Sequence, residues 1–352
     1  MTQPRRHPAP DALRGIAIVF VVAIHAFAYL DLPIVGPWAP VWFMVDAVAV
    51  PAFFFADGWL FATRHQGALP WAVRKAGLIQ AGRRLLIPWA IFSLFYLAER
   101  VTAEWSGIAR GASVLPQGAA DIVSALWLGK AAAQLYFLPA LFLVRAVSFV
   151  IFPRMRGRPV LACLFGAGLL GLWRLELQPL LPPVPVGVDP VGAAIAGIAF
   201  SAFGWAISAM NQARRSPHVI LGSVLALAIV GAVAPPQWAG LSVQLSYLLA
   251  LWLTAALFGH TPPLRLFSVL GRNTMGIYLL HGPIIVKLVS DLLLKSAVPL
   301  PVALVIDVAV SIELAVLAAT QLRRFPVGRL MLGEPEKALR RDLPAAASSE
   351  SF

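Results

Sequence analysis

The sequence predicts an all-α fold: a polytopic membrane helix bundle of about ten transmembrane helices, with both termini cytoplasmic. Three observations carry that prediction. Of 352 residues, 59% are apolar or aromatic and only 12% are charged, about half the charged share of soluble domains. Mean hydropathy is +0.80; so apolar a chain cannot hide its surface in one water-soluble core, and disorder needs the opposite composition. The apolar residues also gather in runs near the roughly 20 residues that a bilayer crossing takes. The net charge of +12 does not indicate nucleic acid, because a nucleic-acid binder interleaves Lys and Arg with polar surface. The single cysteine, Cys163, leaves no internal disulfide to hold the fold.

The candidate spans lie near 13–30, 41–62, 85–101, 134–153, 159–175, 190–209, 218–235, 240–259, 270–290 and 299–320. The run 159–175 is short. Pro, Gly and charge clusters separate most of the others, and the longest connection, near 102–133, leaves no room for a soluble domain. No internal repeat is visible. Residues 1–332 read as one membrane domain and 333–352 as a flexible cytoplasmic tail.

Charge placement orients the bundle, because cytoplasmic segments are rich in Lys and Arg. Of the 28 basic residues, Arg100, Arg110, Lys130, Arg174 and Lys295 fall on outer segments, and Arg145 and Lys287 fall inside spans. All the others fall on inner segments, so the basic excess is a cytoplasmic face. Residues 1–28 also have the shape of a cleavable signal peptide, ending in Ala26-Phe27-Ala28. Removing them leaves the rest of the topology unchanged, and His25 is an odd residue for a disposable segment.

Ionisable groups inside spans cost roughly 2.5–3.5 kcal/mol at the membrane centre, so they are functional candidates by default. Here they are His25, Asp46, Asp57, Arg145, His281, Lys287, Asp307 and Glu313. Some suit structural roles: Arg145 can pair with Asp307 or Glu313, Lys287 can snorkel, and Asp46 lies near an outer end. Arg14 and His25 are eleven positions apart on one helix. That is about 16 Å of rise and three turns, so both project from nearly the same face. A guanidinium at the inner rim recognises phosphate well, and a neutral imidazole above it can take a proton from a hydroxyl. The patch Arg83-Arg84 at the inner entrance to the third span is either a positive-inside anchor or a second phosphate contact. His65 and the histidines of other inner segments read as ordinary surface groups.

Four ordered blocks give these residues a context. They are Leu13-Arg14-Gly15 with His25; Pro51 through Asp57-Gly58-Trp59-Leu60; Arg84-Leu85-Leu86-Ile87-Pro88 with Leu135-Tyr136-Phe137-Leu138-Pro139; and Gly271-Arg272-Asn273 through Tyr278-Leu279-Leu280-His281. Together they resemble the integral-membrane O-acyltransferases of the acyltransferase-3 family, over essentially the whole chain. Asp57 stands where that family usually has Ser, Ala81 where it often has a further Arg, and Tyr136 where it usually has Trp. The chain resembles the stand-alone members, which lack an extracytoplasmic hydrolase-like domain.

The resemblance implies transfer of an acyl group, most often acetyl, from cytoplasmic acyl-CoA to a hydroxyl of a sugar, glycan or glycolipid in the inner membrane. In that scheme Arg14, Arg83 and Arg84 hold the phosphates of the acyl-CoA co-substrate, and His25 is the general base or a transient acyl carrier. Asp57 orients an Arg, holds a His tautomer or pairs with Arg14. His281 lines the acceptor path or hydrogen-bonds across helices. Neither a metal nor nucleic acid is expected as a partner. A secondary transporter or flippase with a buried proton relay is the alternative class, since buried His, Asp and Arg suit it too. Pro51, Pro139 and Pro283 lie within spans and can break them.

Overall fold

A computed structural model of the chain describes residues 8–65, 69–107, 122, 126, 127, 132–173, 190–212 and 217–334, the side chains of 211, 212, 217, 236 and 237 excepted. The connection from 108 to 131 (save those three positions) and the tail from 335 lie outside the described residues. So do Arg5, Arg6, Arg110, Lys130, Arg174, Arg214, Arg215, Lys337, Arg340 and Arg341. The described residues form twelve α-helices and no strand. They are α1 (Pro8–Tyr29), α2 (Ala39–Arg64), α3 (Trp71–Trp105), α4 (Phe137–Ile151), α5 (Pro159–Leu172), α6 (Pro190–Gln212), α7 (Pro217–Val233), α8 (Pro236–Phe258), α9 (Pro262–Leu280), α10 (Lys287–Leu294), α11 (Leu300–Leu322) and α12 (Pro326–Met331). A 3-10 turn, Ala133–Tyr136, leads into α4, and a π-helical turn, His281–Val286, joins α9 to α10. Many of the helices open on proline, whose fixed φ suits the first turn and whose missing N–H would be orphaned there in any case.

Among the described residues every expected span coincides with helix over most of its length, and eight helical segments are long and apolar enough to cross a membrane. Two are not: α5 has 14 residues and α7 has 17. They rise about 21 and 26 Å, less than a hydrocarbon core of about 30 Å. By contrast α3 has 35 residues and rises about 52 Å. Its first turns carry Arg74, Lys75, Arg83 and Arg84, and the apolar stretch begins at Leu85, where the span was expected.

The hub is α1, which packs against α2, α8, α9 and α11; α2 packs on α6, and α6 on α4 and α5. Lipid supplies no hydrophobic drive between helices, so association rests on close packing of small residues. Two helix pairs use reciprocal glycines. Across α1 and α9, Gly15 abuts the Phe267 carbonyl and Gly271 that of Asp11. Across α2 and α6, Gly58 abuts the Ser201 carbonyl and Gly204 that of Phe55. A Cβ at any of the four overlaps the opposing backbone. Outward-facing side chains such as Leu225, Ile229, Val305 and Leu317 are exposed and apolar, as a lipid-facing surface requires.

A proline inside a helix frees the carbonyl four residues back, and in a membrane that group needs a partner from within the protein. Pro51 frees Ala47, whose carbonyl accepts from Gln244 Nε2 at 2.6 Å. Pro283 frees Leu279, whose carbonyl accepts from the Tyr96 hydroxyl at 2.8 Å. Pro88 frees Arg84, and Gly333, at φ +66°, packs against that carbonyl. Of the three prolines expected to break spans, Pro51 stays within continuous α2 and Pro139 sits harmlessly in the first turn of α4. Only the Gly282-Pro283 step breaks its helix, with Gly282 at φ −35°, ψ −150°. The first tail residues are also docked rather than loose: Glu334 pairs with Arg323 at 2.6 Å.

Candidate active site

Two cavities of similar size are stacked beside α1. The inner one, about 230 Å³, is lined by Arg14, Arg64, Arg84, Arg145 and Arg272 together with Asp57. Five guanidinium groups facing one carboxylate make a strongly electropositive pocket. Five different helices deliver them: α1, α2, α3, α4 and α9. Arg14 donates from Nη2 to Thr274 Oγ1 at 2.5 Å and lies 3.7 Å from Asp11. Asp57 is gripped by Arg145, whose Nε lies 2.6 Å from both carboxylate oxygens and whose Nη2 also donates to Oδ1.

That pairing replaces the one expected from sequence. Arg145 meets Asp57, whereas Asp307 accepts from the hydroxyls of Ser290 and Ser311, the latter at 2.9 Å, and Glu313 lies on an exposed face of α11. Asp57 therefore belongs to the arginine cavity and not to the histidines. Of the two consecutive arginines, Arg84 lines the cavity and Arg83 does not. Neighbours on a helix point about 100° apart and cannot share a target. Beyond the inner cavity, His65 is no simple surface group: its ring lies 4.6 Å from that of Phe61 and 5.5 Å from that of Phe149. Burial, then the charges of Arg145 and Arg64, lower its pKa, so it is neutral at pH 7.

The outer cavity, about 240 Å³, is lined by His25, Asp46, Gln134 and Tyr136 among apolar side chains. His25 sits three turns along α1 from Arg14. Its ring centroid lies 5.2 Å from that of His281, with the planes tilted by 57°. His281 is fully buried at the helix break and does not line the cavity. Its Nδ1 lies 3.0 Å from the Ile277 carbonyl, an obligate acceptor, so Nδ1 carries the proton and Nε2 holds a lone pair. That Nε2 is buried and has no partner.

Phe53, Phe137 and Tyr278 line both cavities. The Phe137 ring lies 5.6 Å from Phe53 and 5.5 Å from Tyr278, so three aromatic rings form a partition between arginines and histidines. Tyr278 is held by donating its hydroxyl to the Gln134 carbonyl. Sequence reading missed Arg64, Arg272, Gln134 and the partition as site components. Gln134, though, adjoins the block Leu135–Pro139, where a polar amide at a span end was a usable signal.

The arrangement joins an electropositive mouth to a chamber that holds His25 and the Asp46 carboxylate. A family model described as an acyltransferase domain matches residues 7–320, a stretch that contains both cavities. No curated protein and no solved structure gives a match. The protein is thus a membrane acyltransferase, and the chain belongs to the acyltransferase-3 family.

Proposed function

We propose that this protein moves an acyl group, acetyl in the first instance, from cytoplasmic acyl-CoA to a hydroxyl of a sugar, glycan or glycolipid at the cytoplasmic membrane. The observation that carries the reading is the stacking of an arginine-lined cavity under a histidine pair, along one helix and across one aromatic partition. Arg14, Arg84 and Arg272 receive the donor's phosphates, for which a guanidinium fork is well shaped. Arg14 and His25 are separated by about 16 Å of helix rise, a reach comparable to an extended phosphopantetheine arm. The thioester then passes the partition of Phe53, Phe137 and Tyr278 and meets the acceptor hydroxyl in the outer cavity.

His25, which lines that cavity, takes the hydroxyl proton as the oxygen attacks the thioester carbonyl. His281 works from behind: its Nε2, unpartnered at rest, offers a lone pair to which the neighbouring ring of His25 can turn its N–H, leaving the other nitrogen of His25 as base. Asp57 holds Arg145 in the anion pocket. The test is incubation of membranes containing the protein with labelled acyl-CoA and an extract of cell-envelope glycans and lipids. Label on a glycan or glycolipid supports the reading, and proton-driven uptake without any transfer sinks it. Label retained by the protein when acceptor is withheld would make His25 an acyl carrier instead of a base.

A further inference from the structure

Acyl transfer passes through a tetrahedral oxyanion, and the outer cavity offers it a donor. We infer that the side-chain amide of Gln134 is the oxyanion donor, a conclusion that rests on the acyl-transfer reading above. Gln134 sits on the turn Ala133–Tyr136 and is 6% exposed. It lines the same cavity as His25. Its backbone carbonyl is already occupied by the Tyr278 hydroxyl, which fixes the main chain. The amide nitrogen Nε2 is buried and has no hydrogen-bond partner. A buried donor without a partner is rare in folded proteins and calls for an explanation.

The neighbouring backbone is shaped around that amide. A Cβ on Gly282 overlaps Gln134 Nε2, so only glycine at the helix break admits the amide there. Close by, the Tyr96 hydroxyl donates to the Leu279 carbonyl that Pro283 leaves free. The break therefore does two things: it places His281 beside His25, and it seats the amide of Gln134, a residue that lines the same cavity. Gln134 carries no charge, so it leaves the basicity of the histidines intact while still offering two N–H groups.

The step balances. The acceptor oxygen bonds to the thioester carbon as its proton passes to His25, and the carbonyl π pair moves onto oxygen, where the Gln134 N–H donates to it. The oxyanion collapses, the carbon–sulfur bond breaks, and the CoA thiolate recovers the proton from His25. The products are the ester and free CoA.

Replacing Gln134 tests the assignment in purified protein with acyl-CoA as the varied substrate. Losing one such donor lowers kcat by roughly 10²–10³-fold. Gln134→Leu and Gln134→Met, neither of which offers a donor, should both show that fall. KM for acyl-CoA and for the acceptor should stay at the wild-type values, as should the amount of folded protein. A kcat within about twofold of wild type in either variant, or a loss carried by KM for the acceptor, overturns the assignment and leaves the acyl-transfer reading standing. Absence of transfer by the wild-type protein overturns both.

Discussion

The two cavities differ little in volume, about 230 against 240 Å³, and almost completely in chemistry. The inner one gathers five arginines around one carboxylate. The outer one is lined by one histidine, His25, with His281 behind it, and by an amide, a carboxylate and aromatic rings. The partition belongs to both. On the proposed reading, the contrast lets one helix bundle hold a charged donor and carry out the transfer without mixing the two environments. Cations can be held at the membrane's inner end, where water screens them and a long anionic ligand can neutralise them. At His25 the same cations would oppose the imidazolium that forms when the ring takes a proton, and so weaken it as a base. On the proposed reading, separating the two along α1 spares the base that penalty.

Substitutions can break that comparison. The largest effect is expected at His25. His25→Ala should cost about 10²–10⁴-fold in kcat, the usual worth of a positioned base, with KM for acyl-CoA unchanged. Steady-state kinetics on labelled acyl-CoA measure both, and a rise in KM alone would move His25 to the binding side. Next comes Arg14→Ala, which should do the reverse. A charged hydrogen bond is worth roughly 1.5–3 kcal/mol, or about ten- to a hundredfold in KM for the donor. Arg14→Lys keeps the charge and loses the fork, so it should recover only part of that.

The consecutive arginines sharpen the picture further. Arg84→Ala should raise KM for acyl-CoA less than Arg14→Ala does, since Arg84 sits at the wetter rim, and added salt should shrink the difference. Arg83→Ala should change KM less still. Equal effects at 83 and 84 would mean that the patch acts as a diffuse charge and not through the cavity. The smallest effect is expected at the partition. Tyr278→Phe removes the hydrogen bond to the Gln134 carbonyl, worth about 1 kcal/mol. It should lower thermal stability in detergent slightly and leave the donor KM alone.

Arg14 and His25 were legible because they lie on one helix, where spacing is geometry: eleven residues fix both depth and face. The π turn after α9 was half legible, since Gly282-Pro283 marks a break and His281 precedes it. Choosing between Arg83 and Arg84 was beyond the sequence, because it depends on how α3 is rotated against α4. The Asp57–Arg145 pair joins positions 88 apart, and Arg14–Thr274 joins positions 260 apart. No local pattern links them. Arg145 had four carboxylates within spans to choose from, and packing selected Asp57 by bringing α2 and α4 together across α6.

By itself the sequence determined a multi-pass all-α membrane protein, its basic face and the two residues of α1 on which donor binding and chemistry are proposed to turn. Those properties follow from composition and from the period of a single helix, because bilayer thickness and the backbone's need for internal hydrogen bonds act on each segment separately. Only the tertiary structure decided that five arginines share one cavity, that His281 lies against His25, and that Gln134 lines the cavity of His25. These are contacts between helices distant in sequence. They are set by which small residues let which backbones approach, and nothing in the spacing along the chain specifies that.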